Sequence, residues 1–590
     1  MSIVPSSCKN YKGEIILNNP NIDGKNTSVS YVPAQQPVQP VQPVQPVQPV
    51  QPVLPPMYYT MAPKPSPISE PHTEAAKKSL DSINKASFVI LSVLFGWICS
   101  RSLFAFNYGV GITVMGLAFY LIYIPFIISK QKKQISLIGM LLFIPQILII
   151  ASFSFFSDPM TIVVGLISSM LIAAIQTTLI SGCSTGQPFS FELLCDTCIS
   201  YFAMPFMNFN TTFTGIFKSG KQNKTSLKIA IGAAISLPVV FILIVIFAFA
   251  DEMFARWVEK IISMLNINLF RIAYDLFFAV LVMMYVMPLV VTLRSGYHKV
   301  YDHKQSRRVI DPIIASTVLF ASSVVYLVFV AVQFTYLFAG TGSLPDGLNL
   351  AEYSRRGFFE LVFVIVVTTI VIALVCVLTK NNSNDKLPAY VKIPLLIITA
   401  SNAIIIVSAT RRLLIYIGAY TLTVSRFNAA VLIALMAVVD VVVALRIIFD
   451  KLRVSAVIGS ILAITAAAYC IFNIDGFVAK YNIDEYLKNP SMRAIDVDYI
   501  ASDLSVAAIP ELERLMNTTN SYAVREHAKL AIAKIADRYD IFIGDNEHLA
   551  RWTIDRQRAV NIIEKYNITW DMSEEYFDKY VSTYSTYRDL

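Results

Sequence analysis

From about residue 86 onward the chain returns repeatedly to one pattern, a predominantly apolar run of roughly 20 residues closed by a short polar break. At about 1.5 Å of helical rise per residue, each run is long enough to cross roughly 30 Å of hydrocarbon. Eleven such runs can be counted, at approximately 86–106, 108–129, 135–156, 159–180, 226–250, 268–293, 311–339, 358–379, 391–410, 427–447 and 454–473. With 55% hydrophobic and only 15% charged residues over 590 positions, the chain carries far more apolar surface than a soluble core needs. The expected fold is all-α, a polytopic transmembrane helix bundle of about eleven spans.

The flanks differ from the bundle. Residues 1–85 are polar and proline-rich, and Gln-Pro-Val repeats six times in succession from Gln36 to Val53. Proline at every third position suits polyproline II, whose solvated backbone needs no core, so this stretch reads as a disordered or semi-rigid arm. It serves either as a spacer or as a ligand for a proline-recognising partner. No apolar core of a signal peptide is read in the first thirty or so residues. After Asp475 the composition becomes that of a soluble helical module. Leu504, Ala507, Ala508, Leu512 and Leu515, then Ala528, Ala531, Ile532 and Ile535, predict paired helices over 499–516 and 522–539. Pro510 should start or kink a helix, and a further helix is expected over 548–565. The expected division is an arm (1–85), a membrane domain (86–473) and a helical tail (474–590).

Basic residues set the expected orientation. If the N-terminus is cytoplasmic, the inner loops hold Lys77, Lys78, Lys85, Lys130, Lys132, Lys133, Lys218, Lys221, Lys224, Arg294, Lys299, Lys304, Arg307, Arg308, Lys380, Lys386, Arg446, Lys451 and Arg453. This is roughly twice the number in the outer loops. An odd number of spans then puts the tail outside the cytoplasmic membrane. Residues 189–217 are apolar but carry Glu192 and Asp196, and read as a helix lying in the inner interface, since spanning would place two carboxylates in hydrocarbon at a few kcal/mol each. The same loop cations account for the net charge of +8, and a nucleic-acid role is not expected.

Function is sought where charge survives in this apolar chain. Glu352, Arg355, Arg356 and Glu360 lie in the charged and aromatic segment Ala351–Leu361, and Arg411, Arg412 and Arg426 stand at the ends of other runs. All fall on the outer side in the topology above. Arginine pairs suit carboxylate and phosphate, so these residues could line a cleft for an anionic lipid-linked ligand, membrane lipid or an envelope protein. Alternatively they form interhelical ion pairs and headgroup contacts. Asp275 and Asp440 fall inside apolar runs. Such carboxylates are candidates for transport by default, although Asp440 lies about two turns from Arg446 and could pair there.

Catalytic signals are poor. His72, His298, His303, His527 and His548 all lie outside the predicted span interiors, which leaves no base or ligand for intramembrane His chemistry. Cys195 and Cys198 form a lone CxxC, and no phosphate-binding or dinucleotide fingerprint is present. No enzyme, cofactor or metal is expected. The first reading is a non-enzymatic protein that binds a partner or lipid at its outer face, for sensing or scaffolding. The alternative is a transporter or flippase for an envelope precursor.

Several segments carry a resemblance. Phe329–Gln333 with Tyr336–Gly340, Ala351–Leu361, Ala250–Ala255, Tyr416–Thr423 with Arg426, Asn473–Ile483, Asp496–Ile500 with Ala507–Leu512, and Arg551-Trp552 with Arg556–Ala559 together resemble a family of bacterial multi-pass membrane proteins, domain of unknown function 4173, related to the 4153 group. The resemblance covers roughly residues 86–566 and implies membrane location only, since no activity is established for the family. At Thr421 this chain departs from the family pattern, which has a glycine there, and it departs again at Val424 and Ser425.

Overall fold

The computed structural model describes residues 72–104, 108–128, 136–184, 189–217, 236, 240, 243–244, 246–264, 269–296, 310–338, 358–379, 387–449, 452–491, 494–542 and 549–576. The chain divides into two units, 1–67 and 68–590, and every described residue belongs to the second. The Gln-Pro-Val arm, most of the run expected at 226–250, residues 351–357 and the chain after Tyr576 lie outside the described residues.

The described residues are helical, as the apolar runs require. Helices α1 (His72–Leu80), α2 (Lys85–Cys99) and α3 (Val110–Ile128) are followed by α4 (Leu137–Leu141), α5 (Phe143–Ser152) and α6 (Pro159–Ser181). Next come α7 (Phe191–Cys198), α8 (Met204–Phe217), α9 (Glu252–Met264) and α10 (Leu269–Ser295). The membrane part ends with α11 (Pro312–Phe338), α12 (Phe358–Leu378), α13 (Ala389–Tyr420), α14 (Val424–Ile448) and α15 (Val454–Ile471). Among the described residues nine helices are long and apolar enough to cross a membrane, and α4–α5 supply a shorter apolar pair, Leu137–Ser152, interrupted at Leu142. Large apolar side chains such as Ile90, Phe363 and Ile464 face outward, the arrangement suited to a hydrocarbon solvent.

Contacts between helix ends show which ends share a face. At one face Arg294, ending α10, donates to the carbonyls of Ser79 and Phe126 and to the Ser82 hydroxyl. The Cys183 thiol approaches the Leu293 carbonyl there, and Lys85 donates to the Gly215 carbonyl at 2.9 Å. Residues 183 and 215 therefore sit at the same face, so the segment 183–217 returns to the side on which it began. At the other face Asp275, near the start of α10, meets Ser100 and Arg101 at the end of α2. Two groups of helices result, one around α2, α3, α8 and α10, the other around α11–α14, with α15 packed against α5, α6 and α14. Close approach within the first group depends on Gly96, where an added Cβ would lie 2.3 Å from the Ala279 carbonyl oxygen of α10.

The tail is a separate helical core. It comprises α16 (Ile474–Lys488), α17 (Val497–Asp503), α18 (Ile509–Thr518), α19 (Tyr522–Arg538), α20 (Ile554–Lys565) and α21 (Asp571–Tyr576). Val478, Ile483, Ile500, Leu512, Leu515, Ile532 and Ile535 are fully buried in it, and Leu422, from the α13–α14 turn, joins the same core. Pro510 lies in the first turn of α18, where its missing N–H costs nothing. The single helix expected over 499–516 is two, because the chain is extended at Leu504 and Ser505 before a short turn of 3-10 helix re-enters α18.

Candidate functional site at the junction of bundle and tail

The tail is fastened to the ends of the membrane helices at two clamps. The first grips the start of α6. Its N-cap is Asp158, which accepts from the Thr161 amide at 2.7 Å, and Pro159 follows at the first helical position. The preceding Ser157 donates its amide and hydroxyl to Asp555 of α20, at 2.9 and 2.8 Å. Beside this pair the amides of Ile554 and Asp555 donate to the carbonyls of Ser154 and Phe155, and the Val110 amide donates to the Trp552 carbonyl.

The second clamp grips the α13–α14 turn. Asn482 of α16 donates from Nδ2 to the Leu422 carbonyl at 2.8 Å and accepts from the Leu422 amide at 3.0 Å, a two-point reading of one buried residue. The Val424 amide donates to the Tyr499 hydroxyl at 2.8 Å, and burial pushes that phenol up to about 12. Thr421 adopts φ 67°, ψ 179°, a conformation open essentially only to glycine, so the departure noted in the sequence falls on a strained residue. Arg426 reaches back to the carbonyls of Tyr420 and Thr421 and lies over the Tyr416 ring at 4.0 Å, which caps the C-terminus of α13.

Three carboxylates, Asp158, Asp475 and Asp555, are buried in this junction. Asp158 lies one residue outside the α6 span. Burial, then the neighbouring Asp475 charge, pushes its carboxyl up to about 6, against the opposing hydrogen bonds from Thr161. Asp475 is also raised, first by burial; its bond from the Ser505 amide at 2.7 Å and the nearby Arg538 oppose the shift. Arg538 and Arg556 anchor to the carbonyls of Leu504 and Tyr539. The junction thus combines buried acids with cations held by main-chain oxygens.

The residues singled out in the sequence fall into different settings. Glu352, Arg355 and Arg356 lie outside the described residues. Glu360 is exposed in the first turn of α12, and Arg411 is exposed on α13. Arg412 is half-buried and donates to Gln333 of α11, whose carbonyl also accepts from Ser408. Arg412 and Arg426 therefore serve different partners. Asp275 is tied to Arg101 at 3.0 Å and to Ser100 at 2.9 Å, an interhelical ion pair at the tail-side end of the bundle. The partner found for Asp440 is not Arg446 but the amide of Asn402 on α13, at 2.8 Å.

Sequence reasoning passed over Asp158, Asn482 and Asp555. A signal for the first existed, since Asp158-Pro159 before an apolar run is a helix start. The other two act across 60 and 398 positions, a separation no local pattern reports. No group of three or more His, Cys, Asp or Glu able to hold a metal ion occurs among the described residues.

Fold and junction together define an integral membrane protein, a bundle of apolar helices with a helical module docked at one face. Residues 143–515, more than half the chain, match the family described as "Domain of unknown function (DUF4153)", and the chain belongs to that family. This is the group that the sequence resemblance placed alongside 4173. No curated protein and no solved structure matches the chain.

Proposed function

We propose that this is a non-enzymatic protein of the bacterial cytoplasmic membrane, N-terminus inside and tail outside, which binds a partner or lipid at its outer face for sensing or scaffolding. The supporting observation is the clamped tail: Asn482 and Asp555 hold a folded module in fixed register against the span ends, the preorganised surface a binding platform needs. The Lys and Arg asymmetry supports the orientation.

The test has two arms. A cysteine replacing the exposed Tyr522, in a background lacking other accessible thiols, is expected to react with a membrane-impermeant maleimide in intact cells, and one at Ser28 is not. A photo-crosslinker at Tyr522 or Trp570 is expected to give a common adduct that is absent from the exposed Phe449 at the opposite face. Labelling at Ser28, or the same adducts from both faces, rejects the proposal.

Transport is the second reading, and one observation favours it. Asp440 and Asn402 are buried against each other inside the bundle, and the Asn402 Oδ1 finds no donor among the described residues. A carboxylate in that setting is a default candidate for moving protons or cations. Sodium or proton uptake by proteoliposomes, present in the parent and lost in Asp440→Asn, would support it, and equal flux in both would discard it.

A further inference from the structure

Away from the tail, α6 and α15 leave a seam against α12 and α14. A cavity of about 640 Å³ opens between α6, α12, α14 and α15, with Leu194 of α7 and the preceding Phe189 on one side, within the roughly 300–1,000 Å³ range of small-molecule sites. Its walls are apolar side chains of the membrane segments, among them Leu171 and Ile175 of α6, Val443 of α14 and Leu462 of α15. Its rim is not. Arg446 in the last turn of α14 and Arg453 at the start of α15 both line it, at the end where the chain turns between these helices. The connecting sequence from Arg446 to Arg453 holds three cations and one acid, Asp450.

The geometry points to a binding site for one anionic glycerophospholipid, one of its two acyl chains in the trough and its phosphate headgroup at Arg446 and Arg453. An apolar trough beneath a cationic rim matches both halves of that molecule at once. A free phosphate would meet the arginines but leave the trough empty, and a zwitterionic lipid would fill the trough while offering the arginines no net charge. Basic pockets between membrane helices are a recurrent place for such headgroups, and each Lys or Arg near an anionic leaflet strengthens binding by about fivefold. The inference concerns the face opposite the proposed platform and does not depend on it.

The experiment uses full-length protein in a neutral detergent, with native mass spectrometry after incubation with phosphatidylglycerol, phosphatidylcholine or inorganic phosphate. One phosphatidylglycerol per chain is expected to be retained in preference to phosphatidylcholine. Arg453→Gln should raise the phosphatidylglycerol concentration for half-occupancy about fivefold while leaving phosphatidylcholine unchanged, and Arg453→Lys, which keeps the charge, should restore most of the affinity. Leu462→Trp, which fills the trough from a half-exposed position, should abolish retention of both lipids. Equal retention of the two lipids by the parent, unchanged affinity in Arg453→Gln, persistence in Leu462→Trp, or competition by inorganic phosphate would each overturn the assignment.

Discussion

Replacing Asn482 with alanine should undock the tail from the α13–α14 turn. The side chain satisfies both main-chain groups of Leu422, a residue 5% exposed, so truncation leaves one buried N–H and one buried C=O without partners. Each orphaned group costs about 1–3 kcal/mol, and a total of about 3 kcal/mol allows for partial entry of water. At about 1.4 kcal/mol per tenfold, local opening becomes on the order of 100-fold more frequent. Hydrogen exchange at the amides of Leu422–Arg426 and of α16 reads this directly, with α6 amides as an internal reference. Asn482→Asp separates donor from acceptor. It can still accept from the Leu422 amide but sets an anionic oxygen against the Leu422 carbonyl, so protection should be lost at neutral pH and partly recovered in acid, where a protonated carboxyl can donate. If both variants exchange within threefold of the parent at pH 7.5, the clamp contributes nothing and the reasoning is wrong.

Other perturbations test other parts of the structure. Thr421→Gly should stabilise the turn by about 1 kcal/mol, since relief of about 1–3 kcal/mol of backbone strain exceeds the added freedom of the unfolded glycine, and faster exchange at Leu422 would contradict it. The Asp158 carboxyl stands at about 6 against an ordinary 3.8, so the folded state binds more protons between about pH 4 and 6 and loses stability as pH rises through that window. The slope is at most about 1.4 kcal/mol per pH unit. Asp475, Asp555, Tyr469, Cys470 and Tyr539 share its field, and Asp158→Asn, which keeps the cap, should flatten the pH dependence of tail protection and strengthen docking at pH 7.5. Gly96→Leu should force α2 from α10 and lower the thermal transition in detergent by more than Gly418→Leu, where an added Cβ would meet no described atom within 4 Å. Equal transitions would show that the close approach at Gly96 is not required.

What could be read from the sequence was whatever is local. Twenty-residue apolar runs mark helices because hydrocarbon leaves a backbone few alternatives, and the run expected at 391–410 is present as the core of α13. Charge excess in loops could be counted residue by residue. The extension of α13 to Tyr420 was missed because Arg411 and Arg412 end the apolar pattern without ending the helix; nothing after Ala389 breaks it until Thr421 turns left-handed. Asp275 and Asp440 looked alike as lone acids in apolar runs. Their difference lies in neighbours 174 and 38 residues away, an arginine for one and an amide for the other. The charged residues chosen as a single outer cluster include Arg426, whose role is set by the end of the preceding helix, α13, a contact six residues back that a search for pairs of opposite charge cannot find.

Helix α13 has a mechanical consequence. Its 32 residues extend about 48 Å, well beyond the hydrocarbon, and its one internal proline, Pro394, lies near the end remote from the tail. From Leu395 to Tyr420 it is an uninterrupted rod. One end turns into the loop that Asn482 holds, and Asn402, some 30 Å away, touches Asp440 in the middle of the bundle. A rod gripped at its tip acts as a lever. A load that tilts the tail is expected to act on α13 at its tip, and so on the helix whose Asn402 holds Asp440.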